Sequence, residues 1–220
     1  MSVPSGSSTQ QPTLGDLVDA VAAEGVSDER VLDAFRQVPR ASFVPAGLAS
    51  QAYIDAPLRI PHGQVTTQPS LVAKMVEALG LSGEEKVLEV GTGYGFQTAL
   101  LAYLASFVWS VERWSDIADA ARENLARERI ENVEVIVGDG TEGLPEHAPF
   151  DAILVSAAFA SVAQPLADQL ANGGRLVQPI GPGGDEDVSL FVKEPDGLTR
   201  RGTVTGARFV RLHGRHGFHS

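Results

Sequence analysis

Apolar positions recur three and four apart in the first third of this chain, then give way to short, nearly unbroken apolar runs. Leu14, Leu17, Val18 and Val21 predict a helix over 14–23. Val31, Leu32, Ala34, Phe35 and Val38 predict a second, capped at Ser27-Asp28-Glu29-Arg30 and stopped by Pro39. Pro45, Pro57, Pro61 and Pro69 forbid a long helix between 40 and 69. A connection of that length is unusual unless it serves as a lid or a binding loop. Leu71, Val72, Met75, Val76 and Leu79 restore helical spacing over 70–79.

From Lys86 the pattern alternates. Strands are predicted at 86–90, 107–111, 133–137, 150–156 and 175–178, with helices at 96–104, 116–128 and 164–170, the last closed by Gly173-Gly174. Strand and helix alternating at this length imply a parallel sheet covered on both faces. The tail changes character: 189–193, 198–204 and 209–212 read as strands joined by turns, Pro195-Asp196-Gly197 being one.

Chemistry concentrates at the strand ends. Lys86-Val87-Leu88-Glu89-Val90 runs directly into Gly91, Gly93 and Gly95, and the next apolar stretch begins at Phe96. Strand, glycine turn and helix let backbone approach a nucleotide-like ligand closely. A dinucleotide fingerprint wants Gly-x-Gly-x-x-Gly, but Phe96 stands where its third glycine belongs, and the acid Glu89 precedes the first. Both departures point from a pyrophosphate toward S-adenosyl-L-methionine, whose amino-acid end carries an ammonium, and disfavour a nicotinamide-dependent dehydrogenase. Glu112, some twenty residues past the glycines, is placed to accept both ribose hydroxyls. Asp139 in Gly138-Asp139-Gly140 is placed to accept from an adenine amine. Any one of these acids could be a solvated strand end; three in register are harder to dismiss.

Bulk properties narrow the classes. A chain of 220 residues, 43% hydrophobic and 20% charged, can bury one core. Its apolar runs are too short for a membrane span. Residues 1–13 have neither the cationic start nor the apolar centre of a targeting segment and read as a flexible arm. The chain has no cysteine, which excludes disulfides and thiolate metal sites and fits a cytoplasmic location. A net charge of −11 argues against a nucleic-acid partner. Arg200, Arg201, Arg208, Arg211 and Arg215 read as a solvated basic edge.

With these residues assembled, the chain resembles the protein-L-isoaspartate O-methyltransferase family from about Val31 to Phe218. Val38-Pro39-Arg40, Phe43-Val44-Pro45, Ala52-Tyr53 with Asp55, Gly63-Gln64 and Gln68-Pro69 carry the specific part of the likeness. The glycine loop, Gln97-Thr98-Ala99, Gly138-Asp139-Gly140, Ala148-Pro149-Phe150-Asp151 and Gly173-Gly174-Arg175 complete it.

The resemblance implies a Rossmann-like α/β methyltransferase fold, with a seven-stranded, mostly parallel sheet, helices on both faces and an N-terminal helical and loop lid. It implies one domain over 14–220: a lid segment at 14–79, a cofactor core at 80–180 and C-terminal strands at 181–220. It implies methyl transfer from S-adenosyl-L-methionine, leaving S-adenosyl-L-homocysteine, to the α-carboxylate of isoaspartyl residues in damaged protein or peptide. Carried over by position, Glu89, Gly91, Thr92, Gly93, Gln97, Glu112, Asp139 and Gly140 serve the cofactor. Gln64, Thr66, Gln68 and Pro69 serve the substrate. The family pattern places its active-site serine directly before Gln68, where this chain has Thr67, which keeps a hydroxyl but adds a methyl. That departure leaves room for a relative serving a dedicated modified peptide or small carboxylate, or for an inactive cofactor-binding scaffold.

Neither a metal nor a membrane or obligate partner subunit is expected. His213, His216 and His219 read as tail histidines rather than a metal set, and His62 equally as a turn residue or a substrate contact. Trp109 is expected to pack a helix on the sheet and Trp114 to line the adenine side. Ala157-Ala158 and Phe159 read equally as a substrate-side loop or as packing.

Overall fold

The computed structural model describes residues 11–182 and 184–219. Most of the predicted flexible arm therefore lies outside the described residues. Thr13 at its end caps α1 (Leu14–Ala23): its hydroxyl accepts from the Asp16 amide while the Asp16 carboxylate accepts from the Thr13 amide at 2.7 Å. The cap of α2 (Glu29–Gln37) is Asp28, within the segment the sequence marks. The Ser27 and Asp28 amides both donate at 2.7 Å to Glu77 on α3 (Pro69–Leu79), so the cap segment also ties α2 to α3.

Between α2 and α3 the chain makes two 3₁₀ turns, Arg40–Phe43 and Ala46–Gln51, and a small antiparallel pair, β1 (Leu58–Arg59) with β2 (Val65–Thr66). One side chain organises this proline-rich stretch. Arg40 is 1% exposed, and its guanidinium donates to the carbonyls of Ala52, Ile54 and Ala56, each at 2.9 Å, and to the Thr66 hydroxyl at 3.2 Å. Burial pulls its pKa down to about 10, so it stays cationic at neutral pH. A planar fork of donors suits carbonyls converging from several turns, which a segment without regular structure must satisfy somehow.

The main sheet contains β3 (Lys86–Val90), β4 (Phe107–Glu112), β5 (Val133–Val137), β6 (Phe150–Val155), β7 (Leu170–Ile180), β8 (Glu186–Glu194) and β9 (Gly197–Ala207), in the order β5-β4-β3-β6-β7-β8-β9. The first five run parallel, and β8 and β9 are antiparallel. Helices α4 (Phe96–Leu104), α5 (Ser115–Arg127) and α6 (Gln164–Gln169) make the crossovers. The chain winds outward from β3 to β5, then returns to β6 on the other side of β3. This puts the topological switch, where such sheets bind ligands, between β3 and β6.

Alternation along β3 divides the core. Val87 packs with α1–α4 on one face, and Leu88 and Val90 pack with α6 and the Leu144 loop on the other. Two expectations change. β7 begins at Leu170 rather than 175, with a register shift against β6 between Phe150 and Ala152 that absorbs the glycine pair. Residues 209–212 form no strand: they meet the Ala157–Phe159 loop through a single parallel bridge, Ala158 to Arg211. The alternation of that segment reflects packing of Val210 and Leu212 rather than membership of the sheet.

Arg40→Lys would leave one donor group for a site built around a fork. A stability loss of about 2–4 kcal/mol is expected in urea unfolding, with faster amide exchange concentrated over 52–66. Unchanged exchange in that segment would show that the guanidinium does not organise it.

Candidate functional site

The carboxyl edge of β3 turns through Gly91, at φ +98°, and Gly93, at φ +55°. A Cβ on Gly91 would stand 3.3 Å from that of Ser156, so the turn needs glycine both for its backbone and for its close pass to the end of β6. The Gly93 amide donates to one oxygen of Glu112 at 3.0 Å, and the Trp114 amide to the other at 3.1 Å. The expected ribose acid is thus fixed against the glycine turn.

Glu89 points away from the ligand edge. By the period of two it shares a face with Val87 and faces α4, where it is fully buried. It accepts from Gln97 Nε2 at 2.8 Å and from the hydroxyls of Thr98 and Ser110 at 2.5 Å each. Burial pushes its pKa up to about 7, against the pull of these three donors. Glu89 is therefore held behind the cavity, bonded to Gln97, and does not line it. Gln97 donates its second amide proton to Ser156 Oγ at 2.8 Å, and its Oε1 is buried without a partner.

A cavity of about 970 Å³ opens over the switch point. Gly91, Thr92, Gly93, Gln97, Glu112 and Gly140 line it from the sheet, and Gln64, Thr66 and Thr67 line it from the lid segment. Asp139 stands outside this lining. One of its oxygens accepts from the Thr141 amide and hydroxyl at 2.9 and 2.6 Å, and the other from the Arg215 amide at 2.7 Å. Burial would raise its pKa, but these bonds outweigh that and hold it below the usual carboxylate range. It clamps the C-terminal segment onto the turn after β5, and the adjacent Gly140 lines the cavity.

A second cavity, about 870 Å³, adjoins the first between the lid, α3 and the end of β9. Thr66, Thr67 and Gln68 line it, with Ser70, Lys74, Arg208 and Phe209. Val65, Thr66, Thr67, Ser156 and Val210 line both cavities. The Thr66 hydroxyl is committed to the Leu58 amide at 3.0 Å and to Arg40. Gln68 donates to Asp55 at 2.8 Å and to Ser70 at 3.0 Å, and Asp55 accepts the Ser70 amide at 2.8 Å. Pro69 lines neither cavity; it opens α3 as a buried first-turn residue, a place where its missing N–H is harmless.

Several cavity residues escaped the sequence. Ser156 follows β6 at the ligand edge, a position that strand-end logic could have flagged. Phe43, Ile60, Leu212 and His213 carry no local signal. His213 was expected in a loose tail, yet it lines the first cavity with Nδ1 buried and unpartnered.

His62, at φ +58° on the β1–β2 turn, stacks on Trp114 at 4.0 Å and 6° and bonds the Asp116 carboxylate at 2.9 Å. It fastens the lid, and Trp114 serves that stack instead of lining the cavity. Trp109 packs against Phe107, His147 and Phe150. Phe159 meets Phe218 edge-on at 5.0 Å. Among the described residues no three His, Cys, Asp or Glu side chains gather as a metal site, and no helix is long and apolar enough to cross a membrane.

Five parallel strands extended by an antiparallel pair, with the glycine turn at the switch point, define the Rossmann-like methyltransferase class. The pattern of the family described as Protein-L-isoaspartate(D-aspartate) O-methyltransferase (PCMT) matches residues 13–217. A protein-L-isoaspartate O-methyltransferase of Methanoculleus marisnigri is 51% identical over 198 residues, 90% of each chain. One of Geobacter metallireducens is 48% identical over 90% of this chain and 92% of its own. A solved protein-L-isoaspartate O-methyltransferase superposes with a TM-score of 0.82 at 31% identity, covering 93% of this chain and 67% of that one. A Plasmodium falciparum structure titled as a putative member in complex with S-adenosyl-L-homocysteine shares the fold, with a TM-score of 0.77 at 24% identity over 93% of this chain and 99% of its own. The chain belongs to the protein-L-isoaspartate(D-aspartate) O-methyltransferase family.

The Glu89 environment has a pH signature. An acid whose pKa is raised in the fold, here from 4.5 to about 7, stabilises below its unfolded value and loses that contribution as pH climbs through the folded one. The Tm of the wild type should therefore fall relative to that of Glu89→Gln between about pH 4.5 and 7. Parallel Tm curves for the two proteins would refute it.

Proposed function

We propose that the first cavity holds S-adenosyl-L-methionine, that the second receives an isoaspartyl peptide, and that methyl transfer to the α-carboxylate takes place where they meet. The five residues common to both cavities carry this reading, because transfer needs two ligands in contact across a shared opening. The residues present fit the cofactor. Gln97 Oε1 is a buried acceptor without a partner, suited to an ammonium, and Glu112 offers carboxylate oxygens to a diol. The glycine turn admits close backbone contact.

S-adenosyl-L-methionine, when bound, would be held by Gln97, Glu112 and the glycine turn and would supply an electrophilic methyl for a carboxylate oxygen. A carboxylate is already ionised at neutral pH, so the protein needs no strong base. Its task is to hold the oxygen in line and keep water out. Thr67 stands at the junction with a hydroxyl able to donate to the carboxylate. The lid pair β1–β2, fastened by His62, covers the junction. Gln64, Gln68 and the opening of α3 at Pro69 shape the substrate side.

The reading includes one domain over 14–220, acting as a cytoplasmic monomer on damaged protein without a nucleic-acid partner. The absence of cysteine and the net charge of −11 support it. The added methyl of Thr67 favours, as a second reading, a relative restricted to one dedicated carboxylate partner.

Methyl-labelled S-adenosyl-L-methionine with two peptides differing only in an isoaspartyl or aspartyl linkage tests the activity. Base-labile label is expected on the isoaspartyl peptide alone; label on neither, with cofactor bound, would overturn the repair reading. Thr67→Val keeps the shape and removes the hydroxyl. It should lower kcat/KM by about 10–100-fold, the weight of a hydrogen bond to a charge. Unaltered kcat/KM would remove Thr67 from the site.

A further inference from the structure

Resting on that reading of the two cavities, we propose that Ser156 is a second carboxylate-binding hydroxyl, whose donor direction is imposed from behind by Glu89 through Gln97. Nothing in the likeness to the family assigned Ser156 a role, and it enters only because it lines both cavities. Of the three hydroxyl residues at the junction, Thr66 is held by the Leu58 amide and by Arg40, both in the lid segment. Thr67 belongs to the same segment, and Ser156 alone is held from the sheet side.

The polarity of Ser156 follows from hydrogen-bond counting. Glu89 is buried and presents acceptor oxygens toward α4. Gln97 must turn its amide nitrogen to Glu89, since the reversed amide would set Oε1 against a carboxylate oxygen. The two Gln97 amide protons then go to Glu89 Oε1 and Ser156 Oγ, both at 2.8 Å. Ser156 Oγ is thereby an acceptor inside the fold, and its single proton has no acceptor among the described residues. That proton is free to meet an anion at the opening. The Ser156 amide donates to the Val90 carbonyl at 2.9 Å, which fixes its backbone to the end of β3. The same count leaves Gln97 Oε1 as an acceptor on the cofactor side, so one buried carboxylate sets opposite polarities at two neighbouring atoms.

A donor from Ser156 to one carboxylate oxygen leaves the other free to attack. The carboxylate loses its charge as the new carbon–oxygen bond forms, so this hydrogen bond acts mainly on binding and aim. The peptide KM should carry most of the effect, and the cofactor should not sense it.

Ser156→Ala is therefore expected to raise the KM for an isoaspartyl peptide about 10–100-fold, with a smaller fall in kcat. Its Kd for S-adenosyl-L-homocysteine by isothermal titration and its Tm should stay near wild type. Ser156→Thr, which keeps the donor, should recover most of the lost KM. Gln97→Met frees the Ser156 hydroxyl to turn, so adding Ser156→Ala in that background should change the peptide KM less than twofold. A normal peptide KM in Ser156→Ala, beside an active wild type, would overturn the role of Ser156 alone. A full additional loss in the double variant would overturn its control by Gln97. A wild type that methylates no isoaspartyl peptide would instead overturn the functional reading, and this role with it.

Discussion

A carboxylate sealed inside the sheet organises the site from behind. Glu89 draws a hydroxyl from β4, and a hydroxyl and an amide from α4, and through Gln97 it reaches the end of β6. Four elements converge on one acidic group whose isolation from water would be expensive without those donors. The strands could pair without it. The glycine turn, the start of α4 and the edge of the cavity could not keep their mutual geometry, because each donor fixes the rotation of the element that bears it. Ser110 sits opposite Glu89 in the β3–β4 register, so strand pairing itself delivers the donor.

Arg40 plays the corresponding part for the lid, with the opposite charge and the opposite logic. A buried cation gathers carbonyls that no ladder satisfies and gives a proline-rich stretch a single conformation. The Thr66 hydroxyl joins the same guanidinium, so the wall of both cavities is built from it outward. Core and lid are thus each centred on one buried ionisable side chain satisfied mainly by neutral dipoles. The fold places catalytic hydroxyl candidates between them.

Much of this was legible in the sequence, for physical reasons. Strand and helix periods are local, and they placed β3, β5, α1 and α4 as observed. The glycine turn and Glu112 were legible because a strand followed at once by glycines has few other uses. The side of the sheet that Glu89 faces was not, since that depends on where α4 returns. Asp139 was legible as a strand-end acid, but not the bonds its carboxylate makes to Thr141 and to Arg215, which lies 76 positions along the chain. Ser156 and His213 belong to the site only through tertiary closure. The segment at 209–212 shows the converse: its alternation was real, but a single bridge does not make a strand.

The lid is fastened unevenly. His62 holds the β1–β2 turn through one ring stack and one bond to Asp116, whose side chain is 59% exposed. Interactions at such a surface are weak beside the buried contacts of the lid's base. The cover is consequently hinged: its root at Arg40 is firm, and its tip is the part that gives way first. A substitution at His62 or Asp116 would therefore loosen the protein's rim and leave the root of the cover in place.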